Sequence, residues 1–105
     1  MALVIVTNTA SIDEVTILNE LNTKAGLPTV VKFRTGFRSL YGRLADHPEI
    51  GAPRPRVGRG VRIGIVSPFI IIYRYTSKSD TVTVLRVVHG RRRITRKLLT
   101  DAQTQ

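Results

Sequence analysis

TVTVLRVVHGRRRITRKLL, residues 81–99, is the stretch on which the reading of this chain turns. Val82, Val84, Arg86 and Val88 alternate with Thr83, Leu85, Val87 and His89, the two-residue period of a β-strand. The pattern stops at His89-Gly90, and five basic residues follow within seven positions: Arg91, Arg92, Arg93, Arg96 and Lys97. The stretch therefore predicts the last strand of a sheet followed by a short basic helix, Ile94 to Thr100. It also asks what the concentrated charge is for.

Upstream lie the other strands. "FIIIYRY", Phe69 to Tyr75, joins the last strand through the polar hairpin loop "TSKSD". Before it, Val61, Ile63 and Ile65 alternate with Arg62, Gly64 and Val66, and Ser67-Pro68 separates the two strands. The first half of the chain changes period. Leu3 to Val6 is an aliphatic, β-branched run suited to a buried strand. Ser11 with Glu14 forms a capping-box pattern, and Ile12, Val15, Leu18 and Leu21 recur at helical spacing up to Gly26. Pro28 then suits the first turn of a second helix whose apolar stripe is Val30, Phe33, Phe37, Leu40, Tyr41 and Leu44. "ADHPEIGAPRP" ends it. The order is β-α-α-β-β-β with a basic helix last: an α+β domain, with a helical hairpin packed on one face of a mainly antiparallel sheet.

That architecture leaves a question in "FIIIYRY". Phe69, Ile71 and Tyr73 point to one face, Ile70 and Ile72 to the other, and two helices cover only one face of a small sheet. Each isoleucine left in water forfeits roughly 1.5–3 kcal/mol. Either the C-terminal helix or a loop covers the second face, or another chain does. The sequence-based expectation is another chain.

Composition narrows the classes. At 105 residues, 1–105 reads as one domain. With no cysteine, there are no disulfides, thiol nucleophiles or cysteine metal sites, and His47 and His89 alone make a poor metal constellation. The opening "MALVIVTNTA" reads as a strand, not a leader or membrane span, so a cytoplasmic location is expected. The net charge is +10, and all of it lies in one half. Residues 1–53 hold five basic and five acidic side chains, whereas residues 54–105 hold twelve basic ones against Asp80 and Asp101. Such asymmetry implies one positive face and a polyanionic partner: nucleic acid, an enzyme or ribosome bound to it, or an acidic protein segment.

From His47 to Arg93 the chain resembles the RelE/ParE superfamily, the toxins of bacterial type II toxin–antitoxin pairs. The resemblance rests on "HPEIG" after the hairpin, "RPRVGRGVR" entering a strand, "IIIYRY", and "VLRVVHGRR" closing the last strand. No single element is specific; the four in this order are. RelE-like members cut mRNA on the ribosome using basic residues and a C-terminal tyrosine or another acid–base group. Here Ile70 occupies the strand position that bears an arginine in such nucleases, and no tyrosine follows Tyr75. "VLRVVHGRR" is more similar to ParE-like members, which act on DNA gyrase without being hydrolases.

The resemblance thus implies a ParE-like toxin with no catalytic residue, cofactor or metal. The expected target contacts are Arg62, Arg86, His89, Arg91, Arg92, Arg93, Arg96 and Lys97, reaching gyrase or its bound DNA. Arg54, Arg56 and Arg59 extend the positive surface. The implied partner is a ParD-like antitoxin with a ribbon-helix-helix N-terminus and an acidic, amphipathic C-terminal segment. That segment is expected over Leu18, Phe37, Tyr41, Ile70, Ile72 and Arg74. His89 has a plainer reading, as a hydrogen-bonding structural residue at a strand end. A RelE-like mRNA endonuclease is the alternative function, and a plain basic nucleic-acid-binding domain is a third.

Overall fold

A computed structural model describes residues 1–103, with only the backbone described for 101–103. The elements are β1 (Leu3–Val6), α1 (Asn8–Ala25), α2 (Leu27–Asp46), β2 (Ala52–Pro53), β3 (Val61–Val66), β4 (Phe69–Thr76), β5 (Thr81–His89) and α3 (Arg96–Gln103). The strands form one five-stranded sheet in the order β1-β5-β4-β3-β2. All neighbours are antiparallel except β1 and β5, which run parallel. The α+β architecture and element order match the sequence reading, with the two-residue strand β2 added.

The first helix starts earlier than the capping-box pattern implies. Thr7, not Ser11, is its N-cap: the Thr7 side-chain oxygen accepts from the Ala10 N–H at 3.1 Å. Its buried side shifts accordingly. Ala10, Ile17, Leu18 and Leu21 pack on the sheet, while Ile12 and Val15 face solvent at 65% and 58% exposure. Between α1 and α2, Gly26 serves as both C-cap and N-cap at φ 86°, a backbone region that penalises any side chain.

Phe69, Ile71 and Tyr73 lie under the hairpin with Phe37, Leu40, Leu44, Val82, Val84 and Val87. Phe69 receives the rings of Phe33 and Phe37 edge-on, at 5.4 and 6.0 Å between centroids. The opposite face is not left to another chain. Ile72 is fully buried there among Val57, Val61, Ile63, Leu85, Val88, Leu98 and Leu99, with Ile70 and Ile94 packed against the cluster. The expectation of an uncovered face is corrected: α3 and the loop before β3 cover it. The cause is the Leu98-Leu99 pair, which gives the short basic helix an apolar side.

The alternation in β5 breaks once. Ile72 pairs with Arg86 but Tyr73 pairs with Val84, so a bulge at Leu85 turns that side chain toward the α3 face. Val82, Val84 and Val87 thereby face the hairpin, and Leu85 and Val88 face α3.

Candidate functional site: a basic end beyond the last strand

Beyond β5, the chain turns on His89. The Arg92 N–H donates to the His89 carbonyl at 2.9 Å, and the Arg91 N–H donates to His89 Nδ1 at 3.1 Å. The imidazole also lies edge-on to Phe69, 5.8 Å between centroids. His89 therefore shapes the turn that presents the arginines, in agreement with its plainer reading. The side chains of Arg91, Arg92 and Arg93 are exposed and make no hydrogen bond or ion pair among the described residues. Arg92, Arg93 and Lys97 meet around a shallow depression of about 270 Å³, whose floor includes Arg86, Thr95 and Leu98. Among the described residues no carboxylate lines it.

Arg86 reaches this depression but is already committed. Its guanidinium is bidentate on Asp13 of α1, at 2.7 and 3.0 Å, and its third donor reaches the Leu98 carbonyl of α3 at 2.9 Å. The same Asp13 carboxylate accepts from the Val87 N–H at 3.0 Å. β1 pairs with β5 only as far as Val84, so this N–H lies where the strand edge has lost its neighbour. One ion pair, with both side chains about 15% exposed or less, thus joins α1, β5 and α3. Arg86 is a structural tie, which corrects its assignment as a free target contact.

Arg62 is likewise occupied. It donates to the carbonyls of Glu49 and Gly51 at 2.9 and 2.8 Å and pairs with the Glu49 carboxylate at 3.6 Å. The "HPEIG" loop it holds is pinned from beneath by Tyr73. That hydroxyl donates to the Pro48 carbonyl and accepts from the Gly51 N–H, each at 2.9 Å. A Cβ on Gly51 would sit 2.5 Å from the Ile63 carbonyl oxygen and from the Tyr73 hydroxyl, so the loop closes only on glycine. Arg62 and Tyr73 together hold the backbone of this loop in place.

The other two tyrosines are also engaged. Tyr41 donates to the Glu14 carboxylate, and Tyr75 donates to Asp80 at 2.8 Å. Burial, followed by the Glu14 hydrogen bond, pushes the Tyr41 phenol well above its ordinary range. Burial also raises Tyr73, whereas for Tyr75 the main cause is the Asp80 hydrogen bond. All three phenols are held as neutral donors. Among the described residues no group of three histidines or carboxylates is placed to hold a metal, and no helix is long and apolar enough to cross a membrane.

The residues expected at the antitoxin separate into three places. Leu18, Phe37 and Tyr41 meet in a groove of about 280 Å³ between α1 and α2, edged by Glu14, Val15, Arg34 and Arg38. Phe37 forms its floor at 2% exposure and belongs to the core. Ile70 and Ile72 lie under the α3 side of the sheet, as described above. Arg74 donates from Nε to the Arg59 carbonyl at 2.8 Å, and Arg96 donates from Nε to the Arg56 carbonyl at 3.0 Å. These two belong with the loop before β3, away from the Arg92–Arg93 depression.

Comparison with known proteins fits this geometry. No curated protein matches the chain as a sequence. Among solved structures, the chain resembles the chromosomal ParDE toxin–antitoxin system of P. aeruginosa, at 22% identity and a TM-score of 0.70, over 85% of this chain and 96% of that one. It also resembles the toxin–antitoxin complex RelBE2 of Mycobacterium tuberculosis, at 27% identity and a TM-score of 0.59, over 84% and 96% of the two chains. The sequence model for the ParE toxin of type II toxin–antitoxin systems, parDE, matches residues 4–94, which takes in the sheet, the hairpin and the first arginines of the cluster. With the motif match running through nearly the whole of the fold, the chain belongs to the ParE toxin family.

Proposed function

We propose that this toxin acts by binding DNA gyrase and stabilising its cleaved-DNA complex, and that the basic end beyond β5 makes the contact. The observation that carries the reading is the exposed basic set Arg91, Arg92, Arg93 and Lys97, three of which surround one depression that no carboxylate lines among the described residues. Guanidinium forks suit both phosphate and carboxylate, the two anions that a protein–DNA complex offers. A non-enzymatic role is supported by the placement of the phenols: none of the three lines the Arg92–Arg93 depression, where ribonuclease chemistry would need an acid or base. The RelE-like alternative is disfavoured by the same observation and by Ile70 at the position of the nuclease arginine.

The antitoxin reading moves to the hairpin. Ile12, Val15 and Val31 are exposed apolar residues on α1 and α2, and Arg34 and Arg38 stand beside the groove that Leu18 and Tyr41 line. An acidic amphipathic segment of a ParD-like partner meets both features, burying its apolar side on the groove and its carboxylates against the arginines. Phe37 supports this groove from below, and Ile70 and Ile72 are already covered by the chain's own α3.

The two surfaces separate genetically. Arg91→Glu with Arg92→Glu is expected to abolish growth arrest on induced expression while the protein still co-purifies with its antitoxin. Val15→Glu is expected to do the reverse, leaving a toxin that its antitoxin no longer restrains. Unchanged growth arrest in the double charge reversal would end the assignment of the basic end.

A further inference from the structure

A second collection of cations lies away from the Arg92–Arg93 depression. Arg59, Arg74 and Arg96 converge on a cavity of about 370 Å³ completed by Val57, Gly58 and Thr100. Two of the three are fixed by backbone carbonyls, Arg74 on Arg59 and Arg96 on Arg56, through their Nε donors. The loop before β3 and the start of α3 therefore brace each other while the remaining guanidinium donors line the cavity. The Arg59 side chain makes no hydrogen bond among the described residues. A second cavity of about 600 Å³ shares Arg59 and Arg74 and runs past Tyr75 to Lys78 on the β4–β5 turn. The two cavities adjoin at Arg59 and Arg74, and together make up a basic trough. Its only carboxylate neighbour on that turn, Asp80, accepts from the Tyr75 hydroxyl.

We propose that Arg59, Arg74 and Arg96 form a seat for the backbone phosphates of a nucleic-acid strand, with Lys78 extending its path. Three guanidinium groups lining one cavity, with no acid beside them among the described residues, pay in mutual repulsion unless an anion is present. The choice between phosphate and an acidic peptide follows from what surrounds the trough. A peptide gains affinity by burying apolar anchors, and the side chain of Val57 is already in the core at 7% exposure. Among the exposed apolar residues, Ile12, Val15, Leu27 and Val31 lie on the hairpin, and Leu3, Ile5, Ile50 and Ile65 line neither cavity. A phosphate backbone needs no apolar anchor, because counterion release from its charges drives binding. The seat is a property of this chain alone and does not depend on gyrase being the target.

The test contains no gyrase or antitoxin, so its failure would leave the proposed target untouched. The purified full chain is titrated into fluorescein-labelled duplex DNA of about 20 base pairs and, separately, single-stranded RNA of equal length, and anisotropy is followed from about 50 to 200 mM KCl. The expected result is salt-sensitive binding to at least one of the two, and which one shows the backbone preferred. Arg59→Ala is expected to weaken that binding several-fold and lower the salt slope by about 1, with Arg59→Glu weaker still. Arg38→Ala, on the hairpin, is expected to change neither. Arg59 is exposed on a loop, so these variants should keep the wild-type circular dichroism spectrum and melting temperature. Absence of binding to both nucleic acids at low salt, or equal affinity and slope for wild type and Arg59→Glu, would overturn the seat. So would Arg59-dependent capture of a polyglutamate peptide with no Arg59 dependence for nucleic acid.

Discussion

The two faces of the sheet are covered by very different means. One carries helices of 18 and 20 residues, whose side chains Phe37, Leu40 and Leu44 join Phe69, Ile71 and Tyr73 in one core. The other carries the eight-residue α3 and an irregular loop, over Ile72, Leu85 and Val88. A helix this short is marginal by itself, so α3 exists by virtue of its docking. Among the described residues its attachments are Leu98 and Leu99 in the core, the Arg86 hydrogen bond to Leu98, and the Arg96 hydrogen bond to Arg56. The lesson is a division of labour. The hairpin face supplies the stability, and the weakly held face bears nearly all the arginines to which we assign function.

The sharpest way to break this comparison is to remove one anchor from each side. Phe37→Ala is expected to lower global stability by about 3–5 kcal/mol in urea unfolding, the usual cost of deleting a buried ring. Leu99→Ala is expected to cost less, near the lower end of about 2–5 kcal/mol, because α3 can shift toward the space left. Amide exchange should then quicken in α3 while β4 and α2 stay protected. A larger loss for Leu99→Ala than for Phe37→Ala would reverse the hierarchy of the two faces.

Asp13→Ala probes the tie between them. It leaves the Arg86 guanidinium and the Val87 N–H without their acceptor, with an expected cost of about 2 kcal/mol. That is below the roughly 3–5 kcal/mol for a fully buried pair, since both side chains retain some solvent contact. Tyr73→Phe removes two hydrogen bonds from the "HPEIG" loop and should cost about 1–2 kcal/mol, leaving the α3 amides unaffected. The smallest effect is one of pH. Tyr41 and Tyr73 have phenols raised above the ordinary 10.0, so the folded chain keeps protons that the unfolded chain releases. Their contribution is complete below pH 10 and is lost as pH rises beyond it. Absorbance at 295 nm should show Tyr41 ionising only as the chain unfolds.

Much of the fold was legible because it is local. Gly26-Leu27-Pro28 places the turn of the hairpin, and "FIIIYRY" sorts its side chains correctly between the two faces. What escaped was non-local. The Asp13–Arg86 pair spans 73 residues, and nothing in either segment announces the other. The parallel pairing of β1 with β5 is equally remote. Two misses did leave a trace. In "VTVLRVV" the adjacent apolar residues Val84 and Leu85 interrupt the alternation, which is how a bulge reads in sequence. In "ITRKLL" the Leu98-Leu99 pair is an apolar patch with nowhere to go except the open face of the sheet.

The candidate site was legible as charge but not as geometry. The eight basic residues among the predicted contacts fall into sorted groups once their carbonyl and carboxylate partners are known. Arg62 and Arg86 fold the chain, Arg74 and Arg96 brace the trough, and Arg91, Arg92, Arg93 and Lys97 are exposed around the basic end. Composition cannot make that distinction, because an arginine that holds a loop and one that binds a target contribute equally to net charge.

The central claim is tested most directly by plasmid supercoiling with purified gyrase and ATP, titrated first with this chain and then with its antitoxin. The account predicts loss of supercoiling with accumulation of linear plasmid, reversed by the antitoxin and absent for Arg91→Glu with Arg92→Glu. Full supercoiling at saturating toxin, with no linear plasmid, would contradict it.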